Sequence, residues 1–259
     1  MRLDACGGRL AMGGADGRRA VVTGAARGIG QATTRRLLRE GANVLAVDLD
    51  AEGLKEIAAD GAETLVASVA DPDGRAAIAA AARDIDYLVN AAGILFVRSI
   101  WAVGLEEWRR LYAVNVEGTF FLTQALGHQI RDGGAIVNLS SSSAKLSSTV
   151  DVTPYSSSKA AVVGITRSWA YVLAPRNVRV NAILPGIIDT PMQDRVLEQV
   201  APLRGMSVEE LSIARLKAVP LGRSASADEC AGVIWFLLSD EARYMTGQAI
   251  NQTGGLVMW

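Results

Sequence analysis

Tyr155 and Lys159 lie four residues apart in a segment that the sequence predicts as helical, so their side chains would share one helix face, about one turn apart. A phenol ordinarily ionises near pH 10, too high for proton exchange at neutral pH. A positive charge nearby favours the phenolate and lowers the phenol pKa. We therefore interpret the pair as a candidate acid and base in which Lys159 lowers the pKa of Tyr155. The alternative is an exposed Tyr–Lys pair without a chemical role.

A glycine-rich turn near the N-terminus is the second candidate for chemistry. Residues 19–23 form a short apolar run typical of a buried strand, and a helical pattern follows over 31–40. Gly24, Gly28 and Gly30 lie between the two. Glycines at a strand-to-helix turn let the backbone approach a pyrophosphate, and the helix N-terminus offers it unpaired N–H groups. The turn therefore predicts a dinucleotide site.

A carboxylate follows the next predicted strand. The apolar run 43–47 ends in Asp48, eighteen residues after Gly30. A carboxylate at this place can accept hydrogen bonds from the hydroxyls of an adenine ribose and repels a 2′-phosphate. Asp48 therefore predicts NAD rather than NADP. An Asp that only caps the next helix is the alternative.

Further segments with the same kind of residues follow in order along the chain. They are Asn90-Ala91-Ala92-Gly93, Asn115-Val116-Glu117-Gly118, Ser140-Ser141 and Pro185-Gly186-Ile187-Ile188-Asp189-Thr190. Together with the glycine turn and the Tyr155–Lys159 pair, they resemble the motifs of the short-chain dehydrogenase/reductase family. The resemblance extends from about Gly17 to the C-terminus.

This resemblance implies a set of site residues. The implied catalytic residues are Asn115, Ser141, Tyr155 and Lys159. The implied cofactor-binding residues are Gly24, Arg27, Gly28, Ile29, Gly30, Asp48, Ser68, Val69, Asn90, Ala91, Gly93, Tyr155, Lys159, Pro185, Gly186, Ile188 and Thr190. No metal ion is implied.

The resemblance also implies a reaction, the interconversion of a secondary alcohol and a ketone by hydride transfer with a nicotinamide dinucleotide. Tyr155 would exchange the proton of the substrate hydroxyl, and Ser141 would orient the reacting oxygen. Lys159 would also reach the nicotinamide ribose. Asn115 would hold a water that links Lys159 to solvent. Each role suits the donors and acceptors of the residue concerned.

Three positions depart from the family pattern. The family usually has an Asp-Val pair after the third strand, where this chain has Ser68-Val69, so we expect a slightly weaker contact to the adenine. Ser141 lies fourteen residues before Tyr155, whereas thirteen is commoner, so Ser142 stays an alternative to Ser141. Arg27 lies where some NADP-using relatives have a basic residue, but Asp48 outweighs it.

The order of apolar runs predicts the fold. Strands near 19–23, 43–47, 64–67, 86–90, 135–140, 178–184 and 248–251 alternate with helical patterns. We therefore expect a single-domain α/β fold, a Rossmann-like doubly wound parallel sheet of about seven strands with helices on both faces. Residues 1–17 are predicted to be a flexible extension, with Met1 or Met12 as the start, and 18–259 the domain. Residues 190–222 are predicted to be an irregular substrate lid with an amphipathic stretch over 207–217.

Composition limits the function classes. A chain of 259 residues, half of them apolar, suits one α/β domain with a large core. The net charge of −1 and the absence of a basic cluster argue against nucleic acid as a partner. Two cysteines and no apolar run long enough to span a bilayer predict a cytoplasmic protein. The single histidine, His128, is expected to be an exposed helix residue.

The substrate is predicted only as a class. The residues expected near the reactive oxygen are small and polar, which favours a polyol, a sugar, a sugar acid or a short hydroxy acid. Lys145 or Arg98 could bind a substrate carboxylate, although an exposed, solvated side chain is the alternative for each. Two other functions stay open: an NADPH-linked carbonyl or 3-oxoacyl-type reductase, and a non-catalytic relative that senses dinucleotides.

The sequence also predicts self-assembly. The helix that begins near Tyr155 contains small residues that would let a second helix approach closely, and the chain ends in an apolar tail over 254–259. Apolar surfaces of this kind often mark a partner surface. Family members commonly pair through these two surfaces, so we expect a homotetramer, with a dimer as the alternative.

Overall fold

The computed structural model describes residues 14–146 and 150–259. Within these ranges the strands are β1 (Arg19–Thr23), β2 (Asn43–Asp48), β3 (Glu63–Val66), β4 (Ile85–Asn90), β5 (Ile130–Leu139), β6 (Arg179–Pro185) and β7 (Ala249–Gln252). The helices are α1 (Gly28–Arg39), α2 (Ala51–Ala59), α3 (Pro72–Ala81), α4 (Leu105–Tyr112), α5 (Thr119–Gly127), α6 (Thr153–Leu173), α7 (Pro191–Leu203), α8 (Val208–Lys217) and α9 (Ala227–Leu238).

These strands form one parallel sheet in the order β3-β2-β1-β4-β5-β6-β7. The strand order reverses between β1 and β4. In open parallel sheets the ligand crevice lies outside the carboxyl ends of the strands at such a reversal. The predicted Rossmann-like doubly wound parallel sheet is confirmed. A ligand crevice is therefore expected at the carboxyl ends of β1, β4 and β5.

Helices cover both faces of the sheet, as the neighbours of two successive residues in β1 show. Successive side chains of a strand point to opposite faces. Val22 belongs to a core with Leu37 of α1 and Ile234 of α9. Val21 belongs to a second core with Leu122 of α5. Because both faces are covered, β4 and β6 are buried along their whole length, which is typical of parallel sheets.

The described fold begins earlier than the predicted boundary at residue 17. Ala15 is completely buried, and its N–H donates to the carbonyl of Glu40 at 2.9 Å. The N–H of Gly14 donates to the Glu40 carboxylate at 3.3 Å. Residues 14–17 are therefore part of the domain. The rest of the predicted extension, 1–13, lies outside the described residues.

The segment predicted as an irregular lid contains two regular helices, α7 and α8. In α7 the buried residues Val196, Leu197 and Val200 recur at helical spacing and form an apolar side. The Ser207 hydroxyl accepts the N–H of Glu210 at 3.1 Å and caps the start of α8. The prediction of an irregular segment was wrong for α7, where the apolar spacing is a helix signal, whereas α8 coincides with the amphipathic stretch predicted over 207–217.

Other kinds of site are not present in the described ranges. None of the helices there has the length and apolar character that a membrane crossing requires. No group of three or more His, Cys, Asp or Glu side chains is placed to hold a metal ion in those ranges. Cys230 is a buried free thiol whose pKa burial raises to about 12. His128 is exposed at the end of α5, as predicted.

Candidate active site

Three of the predicted catalytic side chains meet between β5 and α6. Ser141 lies just beyond β5, and Tyr155 and Lys159 lie one turn apart near the start of α6. The Ser141 hydroxyl and the Tyr155 phenol are hydrogen-bonded. The ammonium nitrogen of Lys159 lies 5.6 Å from the centre of the Tyr155 ring. The tertiary structure therefore assembles these residues from two separate parts of the chain.

Lys159 is held in a buried position without a carboxylate partner among the described residues. Its Nζ donates a hydrogen bond to the carbonyl of Leu139, the last residue of β5, at 2.7 Å. Burial disfavours the charged amine and lowers the pKa of Lys159 to about 8. This places the titration of the lysine close to neutral pH.

The pKa of Tyr155 differs in direction from the sequence-based expectation. Burial of the hydroxyl raises the phenol pKa, because it disfavours the phenolate, and the hydrogen bond with Ser141 lowers it by a smaller amount. Lys159 is not among the causes of the shift. The expectation that Lys159 lowers the pKa of Tyr155 is therefore wrong for the protein alone, since the ammonium is itself desolvated and directed at the carbonyl of Leu139.

The structure also separates the two candidate serines. Ser141 bonds the phenol and also accepts the N–H of Ser143 at 3.1 Å, which fixes its hydroxyl at the start of a tight turn. Ser142 begins the single 3₁₀ turn over Ser142–Ala144. Ser141 is thus the serine placed to act on an oxygen beside Tyr155.

Asn115 lies on a π-helical turn, Ala113–Gly118, between α4 and α5. Its side chain is completely buried. Its Nδ2 donates to the carbonyl of Ile94 and to the hydroxyl of Ser158, each at 3.0 Å, and its Oδ1 accepts the N–H of Ile94 at 2.9 Å. Turns of this kind occur often at functional sites. Asn115 therefore ties the segment after β4 to helix α6, beside Lys159.

Gly93 brings that segment close to the catalytic groups. A Cβ at this position would lie 3.3 Å from the Nζ of Lys159 and 3.5 Å from the Oδ1 of Asn115. Any larger side chain would fill the space in front of both groups. The glycine therefore keeps this part of the crevice open.

The glycine turn has the shape and polarity that a pyrophosphate requires. Gly24 and Gly28 have φ values of +67° and +56°, a backbone conformation that favours glycine. A Cβ on Gly30 would lie 2.0 Å from the carbonyl oxygen of Gly24, so only glycine lets α1 begin this close to β1. The residue before α1, Arg27, makes no side-chain cap, and the first turn of α1 holds no acidic residue. The N-terminal N–H groups of α1 therefore fit an anion. Ile29 packs into the core beneath the turn.

Asp48 borders the same turn. Its Oδ2 accepts the N–H of Ala26 at 3.0 Å, and its Oδ1 accepts the N–H of Asp50 at 3.0 Å. The guanidinium of Arg27 pairs with the carboxylate of Asp50. The edge of the turn therefore presents one carboxylate fixed by backbone bonds and one neutralised arginine, which fits a ribose diol.

The end of β4 is bonded to the end of β1. The Thr23 hydroxyl accepts the N–H groups of Ala91 and of the residue after it, at 3.2 Å each. The Asn90 side chain instead is buried and donates to Thr123 at 3.1 Å and Asn138 at 2.8 Å. Both N–H groups of the Asn90 side-chain amide are thus used inside the fold. Asn90, although predicted to bind the cofactor, therefore holds neighbouring elements together and has no side-chain N–H left for a ligand.

The Ser68-Val69 pair lies against the π-helical turn. The Ser68 hydroxyl accepts the N–H of Ala70 at 3.1 Å. Val69 is buried, and a Cβ on Gly118 would lie 2.8 Å from its side chain. This pair thus links the segment after β3 to the turn that carries Asn115.

The segment after β6 closes the crevice from the other side. Pro185 ends β6, and a Cβ on Gly186 would come within 2.9 Å of the backbone of Thr253, just after β7. Ile188 is buried and bridges to the strand-like residue Ala225. The methyl group of Thr190 lies 3.3 Å from a Cβ built on Gly28. The segment therefore reaches the glycine turn.

The two cations predicted as candidates for a substrate carboxylate already have partners. The Arg98 guanidinium pairs with Glu107. The Lys145 ammonium donates to the terminal oxygen of Trp259, which also accepts the side-chain N–H of Asn251 at 3.0 Å. The C-terminus thus lies against the loop that follows Ser141.

Two groups in contact with the site were not predicted. One is Ser158, which accepts the Asn115 amide and donates to the carbonyl of Tyr155 at 2.7 Å. Its position one helical turn from Tyr155 was a usable signal. The other is the carbonyl of Leu139, and a backbone group has no signal in the sequence.

With this geometry established, comparison with known proteins identifies the family. The family model described as enoyl-(acyl carrier protein) reductase matches residues 24–257. The chain belongs to the short-chain dehydrogenase/reductase family. The predicted family is thereby confirmed, and with it the status of the chain as an oxidoreductase.

Similar members of this family have different substrates. The chain is 38% identical over 255 residues to the 3-oxoacyl acyl-carrier-protein reductase FabG of Thermotoga maritima, covering 94% of this chain and 99% of the relative. It is 35% identical over 254 residues to the L-tagatose-forming galactitol 2-dehydrogenase of Cereibacter sphaeroides, covering 94% and 96%. Among solved structures, a variant of actinorhodin polyketide ketoreductase with NADPH has a TM-score of 0.87 at 32% identity, covering 93% and 98%.

Proposed function

We propose that the protein is an NAD-dependent oxidoreductase that interconverts a secondary alcohol and a ketone on a small polar substrate, a polyol, a sugar, a sugar acid or a short hydroxy acid. The observation that carries this proposal is the meeting of Ser141, Tyr155 and Lys159 at the carboxyl end of β5, beside a glycine turn that fits a pyrophosphate. A dinucleotide bound on that turn would supply the hydride acceptor or donor.

The chain's own residues would manage the proton. In oxidation, the phenol oxygen of Tyr155 accepts the hydroxyl proton of the substrate as the carbonyl forms, and in reduction the phenol donates it back. The Ser141 hydroxyl, already bonded to Tyr155, orients the reacting oxygen. Lys159 changes its charge at a pKa of about 8 and is therefore suited to pass the proton onward. Asn115 fixes the segments that line this route.

Asp48 supports NAD as the cofactor. Its carboxylate is oriented by the N–H groups of Ala26 and Asp50, so it cannot turn away from a 2′-phosphate without breaking two hydrogen bonds. Arg27 could attract that phosphate, but Asp50 already neutralises it. With the carboxylates of Asp48 and Asp50 and the single guanidinium of Arg27, this edge is net negative and disfavours the 2′-phosphate of NADP.

We expect at least a tenfold preference for NAD over NADP in kcat/KM, because an unpaired carboxylate against a 2′-phosphate costs on the order of 1–3 kcal/mol. The measurement is NADH or NADPH absorbance with a panel of sugars, polyols and hydroxy acids. Asp48→Asn should narrow the preference, mainly by weakening NAD. Glu52→Gln, an exposed carboxylate on α2 paired with Lys55, is the matched control. Equal or better turnover with NADP in the unaltered enzyme would contradict the assignment.

An NADPH-linked carbonyl or 3-oxoacyl-type reductase is the second candidate. It is favoured by the 38% identity to a 3-oxoacyl acyl-carrier-protein reductase and by Arg27 at the turn. The same panel separates the two functions, since this candidate requires NADPH and oxoacyl thioesters as better substrates. A non-catalytic dinucleotide sensor is disfavoured because Asn115, Ser141, Tyr155 and Lys159 are all retained.

We also propose a homotetramer. Exposed apolar side chains on α5 and α6 and in the C-terminal tail support it, namely Phe121, Tyr171, Val172, Met258 and Trp259. Light scattering at micromolar concentration should report about four times the chain mass of 27.3 kDa. A mass of two chains would show that only one of the two surfaces, the α5–α6 surface or the C-terminal tail, is paired. An active monomer would exclude the assembly.

A further inference from the structure

Arg215 is a partly buried arginine on α8 that has no ion pair or hydrogen bond within the described residues. Burial lowers the pKa of its guanidinium, with no neighbouring acid to oppose the effect. A desolvated cation without a partner is unfavourable, because burial penalises the charged form unless an opposite charge or an acceptor pairs with it. Ile213, two positions earlier on the same helix, is by contrast 49% exposed.

The neighbours of α8 place this helix on the substrate side of the fold. Leu211, one turn earlier on the same helix face, is buried in a cluster with Leu95 and Val97. These two residues follow Gly93, which lies beside Lys159. At its other end, α8 leads to Val219, which lies against Gly254 of the C-terminal tail.

The tail in turn reaches the catalytic loop, because the terminal oxygen of Trp259 meets Lys145, four residues after Ser141. Helix α8, which carries Arg215, therefore lies between two segments that both lead to the catalytic groups. One is the stretch after Gly93, and the other is the C-terminal tail.

Other cations near this side have partners or are hydrated. Arg98 pairs with Glu107, and Arg204 lies 3.7 Å from Asp151. The Lys145 ammonium donates to the main-chain oxygen of Trp259. Arg195 of α7 and Lys217 of α8 are exposed, so water can hydrate their charges. Arg215 differs because it is half-buried and no acid in the described part of the chain neutralises it.

We propose that Arg215 binds an anionic group of the substrate, a carboxylate or a phosphate, at a position separate from the reacting oxygen. The inference rests on the proposed oxidoreductase function and narrows its substrate class to acids or phosphate esters that carry a secondary hydroxyl. A planar guanidinium suits both anions because it can donate two parallel hydrogen bonds.

The activity test uses matched pairs of probes. 3-Hydroxybutyrate is compared with its methyl ester, and glycerol 3-phosphate with glycerol, so that each pair differs in one negative charge-bearing group. In the unaltered enzyme the anionic member of at least one pair should have the higher kcat/KM. Arg215→Met should lower kcat/KM for that anion by about 10- to 100-fold, chiefly through KM, and leave the neutral member unchanged. Which pair responds distinguishes a carboxylate from a phosphate.

Two control variants accompany Arg215→Met. Arg215→Lys keeps the positive charge but cannot donate two parallel hydrogen bonds, so it should recover part of the kcat/KM that Arg215→Met loses. Lys217→Met removes an exposed charge from the same helix and should change neither substrate. An equal loss for the anion and its neutral partner would show that Arg215 only supports the helix and would overturn the proposal, as would an unchanged preference in Arg215→Met.

A second readout does not depend on turnover. With saturating NAD and constant ionic strength, millimolar 3-hydroxybutyrate or inorganic phosphate should raise the thermal midpoint of the unaltered protein but not of Arg215→Met. Equal shifts in both proteins would overturn the anion site. If no alcohol is oxidised with either dinucleotide while the Arg215-dependent shift is present, the proposed function fails and the anion site stands.

Discussion

Replacement of Tyr155 by Phe is expected to lower turnover by about two to four orders of magnitude while the affinity for NAD changes little. The substitution removes only the hydroxyl, which is the group that bonds Ser141 and would exchange the proton of the substrate. The ring and its packing beside Lys159 stay in place. Initial rates in both directions, with NAD affinity from fluorescence quenching, measure the two effects separately.

Tyr244→Phe supplies the matched control for this prediction. The Tyr244 side chain is fully exposed and lies in none of the surfaces assigned a role, so loss of its hydroxyl should have no effect on turnover. A Tyr155→Phe enzyme that works at near-normal rates would remove the phenol from the mechanism. Weakened NAD binding in that variant would instead indicate a positioning role.

The pH dependence of oxidation should follow the coupled pair rather than the tyrosine alone. Burial raises the pKa of Tyr155 and lowers that of Lys159 to about 8, so the pair loses its first proton near pH 8. The state that has lost this proton can accept the hydroxyl proton of the substrate. Oxidation rates of the unaltered enzyme should therefore rise with pH through an apparent pKa of about 8. The range from about pH 6 to about pH 9 extends at least one pH unit to either side of that apparent pKa. An oxidation rate that does not change over this range would contradict the assignment.

Ser141→Ala should lower kcat by about two to three orders of magnitude, because it removes a donor positioned at the reacting oxygen. Ser142→Ala should stay close to the unaltered enzyme, since the phenol bonds to Ser141. The two variants differ by one position in the same serine run and by the same chemical change. Steady-state kinetics on the best substrate of the panel measures both.

The paired design also shows how this assignment could fail. If Ser142→Ala were the damaging change, the serine one residue later would be the one that orients the substrate, as the commoner family spacing suggests. A large loss in both variants accompanied by a lower unfolding midpoint would indicate damage to the turn. Circular dichroism melting curves distinguish that case from a catalytic effect.

Much of the fold and of the site follows from local patterns in the sequence. Apolar runs bounded by turns predicted the strands because burial on both faces makes parallel strands continuously apolar. The parallel order then requires that segments after β1, β4, β5 and β6 share one edge of the sheet. The glycine turn and the Tyr155–Lys159 spacing were visible because each depends on residues close together in the chain. The burial of Ala15, which is 0% exposed, depends instead on its hydrogen bond to Glu40, a residue distant in the chain. The sequence therefore did not predict that Ala15 belongs to the domain.

The tertiary structure alone decided how these groups are charged and partnered. Desolvation depends on every element that packs around a side chain, so neither the raised pKa of Tyr155 nor the lowered pKa of Lys159 could be predicted from four-residue spacing. Arg98 looked free in the sequence, yet Glu107 pairs with it. Arg215 lay in the amphipathic stretch predicted over 207–217, and the fold leaves it half-buried without a partner among the described residues. Such pairings join residues that only the folded chain brings within a few ångströms, and a hydrogen bond to a backbone carbonyl such as that of Leu139 is specified by position, not by residue type.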